Sequence, residues 1–309
     1  MTVALAPESR RNDIPVSPRA PLQTLWEARD PGSLEVRGSG MPPDLERRYG
    51  GPLTIQLRPD RPTVVANFVS TVDGIVALGT DALSGGGLIS GFHEPDRFVM
   101  GLLRALADVV VVGAGTLRGS DTHRWTPAHV HPASAASFAA WRESMGLSPA
   151  PTTVIVTAGG DIPADHPGLA DPTIPVVVAT TPAGSSRLAG ATLGAHVAVR
   201  AVEGTEALSA QDVLRLASDD GARLILTEGG PHLLGSFVDA DLLDELFLTV
   251  SPQLVGRGGQ ERLGLVEGLA LSPEDGRWQD LVSIRRSTDH LFLRYRRRLA
   301  GGSAAAQRT

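Results

Sequence analysis

The chain has 309 residues, 42% hydrophobic and 20% charged, and its 28 basic and 34 acidic side chains leave a net charge of −6. A chain of this length can bury roughly 75% of the surface it exposes when unfolded, while mild acidity gives no general attraction to nucleic acid or anionic lipid. The absence of cysteine excludes disulfides, thiolate catalysis, iron–sulfur clusters and the common structural and deaminase zinc sites.

Residues 1–20 carry Pro7, Pro15, Pro18, Arg10, Arg11 and Arg19 without apolar periodicity, which predicts a tail unable to offset its ordering entropy. They lack the apolar core of a signal peptide, and no apolar run approaches the roughly 20 residues that span a bilayer, so a cytoplasmic protein with no membrane partner is expected. Residues 21–61 predict an arm on the main domain, opening with a helix-like piece through Leu22, Leu25 and Trp26 and turning around Gly38–Pro43. Thr63–Val69 reads as a strand, and Asp96–Ala107 as an amphipathic helix through Phe98, Val99, Leu102, Leu103 and Leu106. Asp108–Val112 is a strand apolar on both faces. Residues 120–150, rich in Ala, Ser and Pro, predict an irregular surface insertion with one short helix near Ser134–Glu143.

Further β runs follow at Thr153–Thr157, Ile174–Ala179, His196–Val199, Arg223–Thr227 and Glu245–Val250, with helices at Ala210–Ser218 and His232–Asp239. This repetition implies a mostly parallel sheet covered on both faces. The last pair, Leu281–Arg285 and Leu291–Arg296, must be antiparallel because Ser287–His290 is too short for a crossover. Residues 62–299 then form one α/β domain and 300–309 a second flexible tail. Arg294, Arg296 and Arg298 share one face of the last strand, expected to be a solvated edge.

Two strands run into glycines. Val109-Val-Val-Val-Gly-Ala-Gly-Thr116 allows close backbone approach to a phosphate or ring, but Arg118 stands where a dinucleotide fingerprint needs its third glycine, and no Walker A loop occurs. The stronger element is Leu224-Ile-Leu-Thr-Glu-Gly-Gly-Pro-His-Leu-Leu-Gly235, a strand, turn and helix with Pro231 suited to the first helical position. Helix N-terminal amides stabilise an anion by roughly 0.3–2 kcal/mol, and Glu228 falls at the carboxyl edge of the sheet, where α/β folds bind ligands. His123, His129 and His131 cluster in sequence, but without nearby carboxylates or regular structure they read as solvated loop histidines, and no metal is assigned. Asp73-Gly74 reads as a turn.

Four blocks together resemble the reductase domain of bacterial deaminase-reductase proteins, the pyrimidine reductases of riboflavin biosynthesis. They are Val65-Ala-Asn-Phe-Val-Ser-Thr-Val-Asp-Gly74, then Leu102-Leu-Arg-Ala-Leu-Ala-Asp-Val-Val-Val-Val-Gly-Ala-Gly-Thr116, then Thr227-Glu-Gly-Gly-Pro-His-Leu-Leu234, then Asp244-Glu-Leu with Ser251-Pro-Gln-Leu-Val-Gly256. The resemblance implies a dihydrofolate-reductase-like α/β three-layer sandwich, a reductase without the deaminase half, and a homodimer; the long apolar strand Leu246–Val250 is a candidate surface needing cover. It assigns NADPH to Val69, Thr116, Ser120 or Asp121, Thr157 and the run Gly230, Pro231, His232, Leu233, Leu234, Gly235 and Ser236. It places substrate on Arg104 and Glu228, with Glu228 the catalytic candidate. Arg97 lies seven residues before Arg104 on the same helix face, so the two guanidiniums could share a ribose phosphate.

The family loop after Gly-x-Gly-Thr is replaced here by Leu117-Arg-Gly-Ser-Asp-Thr-His-Arg-Trp125, in which Asp121 and Arg124 are the stand-ins. No basic cluster follows Thr157 to clamp a 2′-phosphate. Two further readings stay open: a reductase of dihydropterin or another imine, for which Glu94, Asp96 and Glu228 are the candidate buried carboxylates, and a non-catalytic NADP(H)-binding protein.

Overall fold

The computed structural model describes residues 20–28, 35–79, 86–259 and 261–298. The two expected tails lie outside these residues apart from Ala20. In chain order the strands are β1 (Gln23–Glu27), β2 (Val36–Arg37), β3 (Ile55–Gln56), β4 (Thr63–Thr71), β5 (Ile75–Ala77), β6 (Val109–Gly113), β7 (Thr152–Val156), β8 (Val176–Thr180), β9 (Val197–Ala201), β10 (Leu224–Thr227), β11 (Glu245–Ser251), β12 (Leu263–Gly264), β13 (Gln279–Ser287) and β14 (His290–Arg297). The helices are α1 (Pro43–Tyr49), α2 (Gly86–Ser90), α3 (Glu94–Leu106), α4 (Ala114–Arg118), α5 (Pro127–Val130), α6 (Ala135–Ser144), α7 (Pro167–Ala170), α8 (Pro182–Leu188), α9 (Ala210–Ser218) and α10 (Pro231–Asp239).

Ten strands form one sheet in the order β1-β13-β14-β11-β4-β10-β6-β7-β8-β9. Every pair from β11 to β9 is parallel, and β14, β13 and β1 extend the sheet antiparallel. Because strand side chains alternate between faces, one strand feeds two cores. Val65, Val110, Val112, Leu226 and Phe247 pack beneath the buried faces of α1, α3 and α6, while Val64, Ala66, Val109, Val111 and Ile225 pack against α9 and α10. This is the three-layer, mostly parallel sandwich with an antiparallel C-terminal pair that the sequence predicts. Local chemistry sets the helix starts: Ser209 and Asp212 form a capping box at α9, and Thr181 caps α8 by accepting from Gly184 N at 3.2 Å.

Several expectations are corrected. Gln23–Glu27 is an edge strand on β13, not a helix; five residues are too few to hold a helix unaided, and the free edge of β13 supplies ladder hydrogen bonds. Residues 120–150 are not a surface insertion, because Trp125, Phe138 and Trp141 enter the core and the buried Arg142 closes the end of α3, its Nη1 donating to the carbonyls of Arg104, Ala105 and Ala107 at 2.7–3.1 Å. Arg294 is not on a solvated edge. It lies inside the sheet, donating to both oxygens of buried Glu245 at 2.7 and 3.1 Å, and Arg296 joins the same carboxylate at 2.9 Å. Leu246–Val250 is likewise covered within the chain, between β4 and β14. One open edge of the sheet is β1, with Leu25 and Trp26 in solvent.

Candidate active site

The parallel strands end together on one edge, and their register assembles the site. Thr227 of β10 pairs with Ala66 of β4 and with Val111 of β6, so Glu228 emerges between them, its amide donating to Val111 O at 2.9 Å. Glu228 shares the face of Leu226, beneath α3, where Arg104 meets it. The Arg104 Nε donates to both carboxylate oxygens at 3.1 Å and Nη2 donates to Oε2 at 2.6 Å. The two side chains are 1% and 8% exposed, a buried ion pair. The rest of the guanidinium is also engaged: Nη1 reaches the carbonyls of Arg124 and Thr126 at 3.2 and 3.4 Å, and Nη2 lies 2.9 Å from His123 Nε2. Since arginine cannot accept, His123 Nε2 is the acceptor and its Nδ1 carries the proton; burial, then the Arg104 charge, holds His123 far below the usual histidine range.

Every donor of Arg104 is engaged within the protein, where it holds Glu228 in place. Arg97 does not join it: seven residues are roughly 10 Å along a helix, and Arg97 stays exposed with no ion pair among the described residues. Arg124 turns its Nε toward Asp171 at 3.3 Å, so only its carbonyl touches the Arg104 cluster. The three loop histidines are packed rather than solvated. His123 and His129 sit edge to face with ring centroids 5.1 Å apart, and buried His131 lies against Phe98 and Phe138 while bonding Glu94. Among the described residues no group of three His, Asp or Glu side chains could hold a metal ion.

Beside Glu228 the sheet carries polar residues where apolar ones would be expected. On the α3 face, Asn67 of β4 pairs with Phe247, and Val69 with Thr249 of β11. Asp96, in the first turn of α3, is 5% exposed. Burial pushes its carboxyl up to about 6 although Thr249 and Ser90 favour the charged form, and nearby Glu228 resists ionisation further. In the sequence Asp96 stands only as one of three candidate carboxylates, and no motif singles out Asn67 or Thr249. Their signal was a polar residue at an inward position of an otherwise apolar pattern.

The second part of the site is the groove between the two glycine turns. A Cβ built on Gly230 would enter open space, with Thr116 Oγ1 nearest at 4.0 Å, and Cβ atoms on Gly113 or Gly115 would meet nothing within 4 Å. α10 starts at this groove with Pro231 first and without a side-chain cap, so its leading amides are left to a ligand or solvent. Thr116 and Ser120 flank the groove, the Ser120 hydroxyl donating to Thr116 O at 2.8 Å; Asp121 is exposed. Thr157 closes its own turn by accepting from Gly160 N at 3.1 Å. Within 230–236 the assignments divide. Gly230, Pro231, His232 and Leu233 form the turn and first helical residues, and Ser236 is exposed farther along with its hydroxyl on His232 O at 3.1 Å. Leu234 is core, and Gly235 faces the Glu267 carbonyl, which a Cβ would meet at 2.1 Å, so neither can reach a cofactor.

An open parallel sheet with a buried carboxylate ion pair and an uncapped helix start preceded by glycines at its carboxyl edge defines a three-layer α/β protein. The chain belongs to the RibD C-terminal domain family, whose model matches residues 62–285. It is 29% identical over 196 residues, 63% of this chain and 83% of the other, to the 2,5-diamino-6-ribosylamino-4(3H)-pyrimidinone 5′-phosphate reductase of Archaeoglobus fulgidus. In fold it is similar to a pyrimidine reductase-like protein of Corynebacterium diphtheriae (TM-score 0.61, 18% identity, 77% of this chain and 93% of that one). It is similar also to Acinetobacter baumannii RibD (TM-score 0.55, 19% identity, 77% of this chain), of which it spans 59%.

Proposed function

We propose that this protein is an NADPH-dependent reductase of a ribosylaminopyrimidine phosphate, converting the ribose to a ribityl chain as in riboflavin biosynthesis. The observation that carries the reading is the open groove at Gly230 and Thr116, headed by the uncapped α10 and lying next to the Arg104–Glu228 pair. The donor set suits a pyrophosphate: glycine backbone, helix amides and the Thr116 hydroxyl. When bound, the nicotinamide cofactor supplies a hydride. The chain's own residues orient the substrate and manage charge. As the sugar C1–O bond breaks and C1 receives the hydride, the released ring oxygen takes a proton, and the chain has neither lysine nor cysteine to give it, leaving carboxyls, histidines, tyrosines or water. Glu228, fixed by Arg104, accepts hydrogen bonds from the substrate with the lone pairs Arg104 leaves free. Arg97, exposed near the start of α3, is the candidate for the ribose phosphate, and Arg118, whose Nη1 donates to Asp161 O at 2.7 Å beside the Thr157 turn, is the candidate for the cofactor's 2′-phosphate.

The protein is read as cytoplasmic, and no helix among its described residues is long and apolar enough to cross a membrane. A homodimer is proposed through the open β1 edge. The test is NADPH oxidation by purified protein with the ribosylaminopyrimidine phosphate in its 2-amino and deaminated forms; cofactor binding without turnover of either would remove the proposal. A second reading, reduction of a dihydropterin, draws on the buried carboxylate of Asp96.

A further inference from the structure

The divergent loop after Thr116 delivers one side chain to the Arg104–Glu228 pair. His123, between α4 and α5, has its Nε2 2.9 Å from Arg104 Nη2, and its ring packs edge to face on Trp125 and His129 at 5.2 and 5.1 Å. A second segment fixes the loop on either side of it. His166, just before α7, stacks on Trp125 at 5.8 Å. Its Nδ1 accepts from Gly168 N at 3.0 Å, so its Nε2 carries the proton and donates to Ser120 O. Gly168 admits no side chain, since a Cβ would stand 2.9 Å from the Trp125 ring and 3.1 Å from the His123 carbonyl. The loop is thus held at Ser120 and at Trp125, with His123 between them.

A guanidinium can grip a carboxylate side-on, through Nε and the nearer hydrogen of one Nη, or end-on, through the outer hydrogens of both Nη atoms. The Arg104 Nε donates to both Glu228 oxygens at 3.1 Å and Nη2 donates to Oε2 at 2.6 Å, which is the side-on form. The end-on form is closed at both nitrogens. Nη1 is held by the carbonyls of Arg124 and Thr126, and the outer hydrogen of Nη2 is taken by His123. That hydrogen calls for a neutral acceptor: a carboxylate there would compete with Glu228 for Arg104, and an imidazolium would set donor against donor. Burial disfavours the charged ring most, followed by the charges of Arg104, His129 and His166. We propose that His123 is a positioning residue: by accepting from the outer Nη2 hydrogen it locks Arg104 side-on against Glu228 and so fixes the direction in which the free lone pairs of Glu228 meet substrate. The inference rests on the reductase reading above.

The experiment compares wild type with His123→Gln, whose Oε1 can stand where Nε2 does, His123→Asn, whose shorter amide ends near the Nδ1 position, and His123→Leu. Misplacing a reacting group by about 1 Å can cost about 100-fold. The Asn and Leu variants should therefore lose about 10- to 100-fold in kcat with the ribosylaminopyrimidine phosphate while NADPH affinity stays at the wild-type value, and His123→Gln should regain most of the loss. Wild-type kcat in folded His123→Leu, or an equal loss in all three variants, overturns the proposal and leaves the reductase reading intact. Turnover of neither pyrimidine by wild type removes the reductase reading instead, and nitrogen-15 NMR of the arginine and histidine side chains then decides on the lock. In wild type the two Nη2 hydrogens of Arg104 should be resolved because both are bonded; rotation should average them in His123→Asn and His123→Leu but not in His123→Gln. Resolved signals in every variant refute the lock, as does a neutral His123 ring in wild type with its proton on Nε2. Should His123→Leu fail to fold, His123→Asn makes the same comparison, and the wild-type tautomer is read without any variant.

Discussion

Breaking the Arg104–Glu228 pair one side at a time should cost far more than breaking it completely. Glu228→Gln leaves a guanidinium that is 1% exposed with only His123 and two carbonyls around it. Arg104→Met strands the carboxylate and frees the carbonyls of Arg124 and Thr126. Removing one partner of a buried pair costs about 3–5 kcal/mol, whereas removing both charges is often close to neutral. The double variant should therefore be more stable than the sum of the singles by at least about 2 kcal/mol, within the range of coupling seen for contacting residues. Urea unfolding followed by circular dichroism measures all four proteins by linear extrapolation. Turnover should be recorded below the transition, where each variant is folded; there Glu228→Gln should lose about 10- to 150-fold in kcat if its carboxylate hydrogen-bonds the substrate. Single variants within 1 kcal/mol of wild type, or strictly additive effects, would show that water or another cation compensates and that the pair does not organise the site.

Gly230→Val should fold, since Gly230 has φ −61° and its Cβ would face open space, yet NADPH affinity measured by fluorescence titration should fall about tenfold or more, that is about 1.4 kcal/mol; unchanged affinity would move the cofactor elsewhere. Asp96 carries a pH signature. Its carboxyl is raised from 3.8 to about 6, so the folded state resists ionisation, and stability is lost as pH rises through this window, by about 3 kcal/mol. Asp96→Asn should gain on wild type by up to that amount between pH 4 and pH 8 in thermal unfolding, and a pH-independent difference would argue that the group is solvated. Trp26→Lys, on the open β1 edge, should shift a dimer toward monomer in sedimentation; an unaltered association state would place any interface elsewhere.

Much of the sheet was legible because its signals are local. Val109–Val112 is apolar on both faces, which only a strand covered on two sides requires, and Gly229-Gly230-Pro231 punctuates a strand and opens a helix whatever surrounds it. Glu228 could be placed at the carboxyl edge on the same grounds. Three-dimensional packing alone decided who its partner is. Arg104 and Glu228 lie 124 residues apart, and an arginine on a helix looks the same in sequence whether it awaits a phosphate or neutralises a buried carboxylate. Likewise Gln23–Glu27 is a strand because β13 offers an unpaired edge, Arg294 is interior because Glu245 faces it, and the segment 120–150 packs on the core because α3 presents Phe98 to His131 and Phe138. Pattern reports which residues can be buried, but polar side chains are buried only when specific partners or ligands complete their hydrogen bonds, and those partners are set by strand order and register. That is why the framework could be read from the sequence, whereas Asp96, Asn67 and Thr249 came together only in the folded chain.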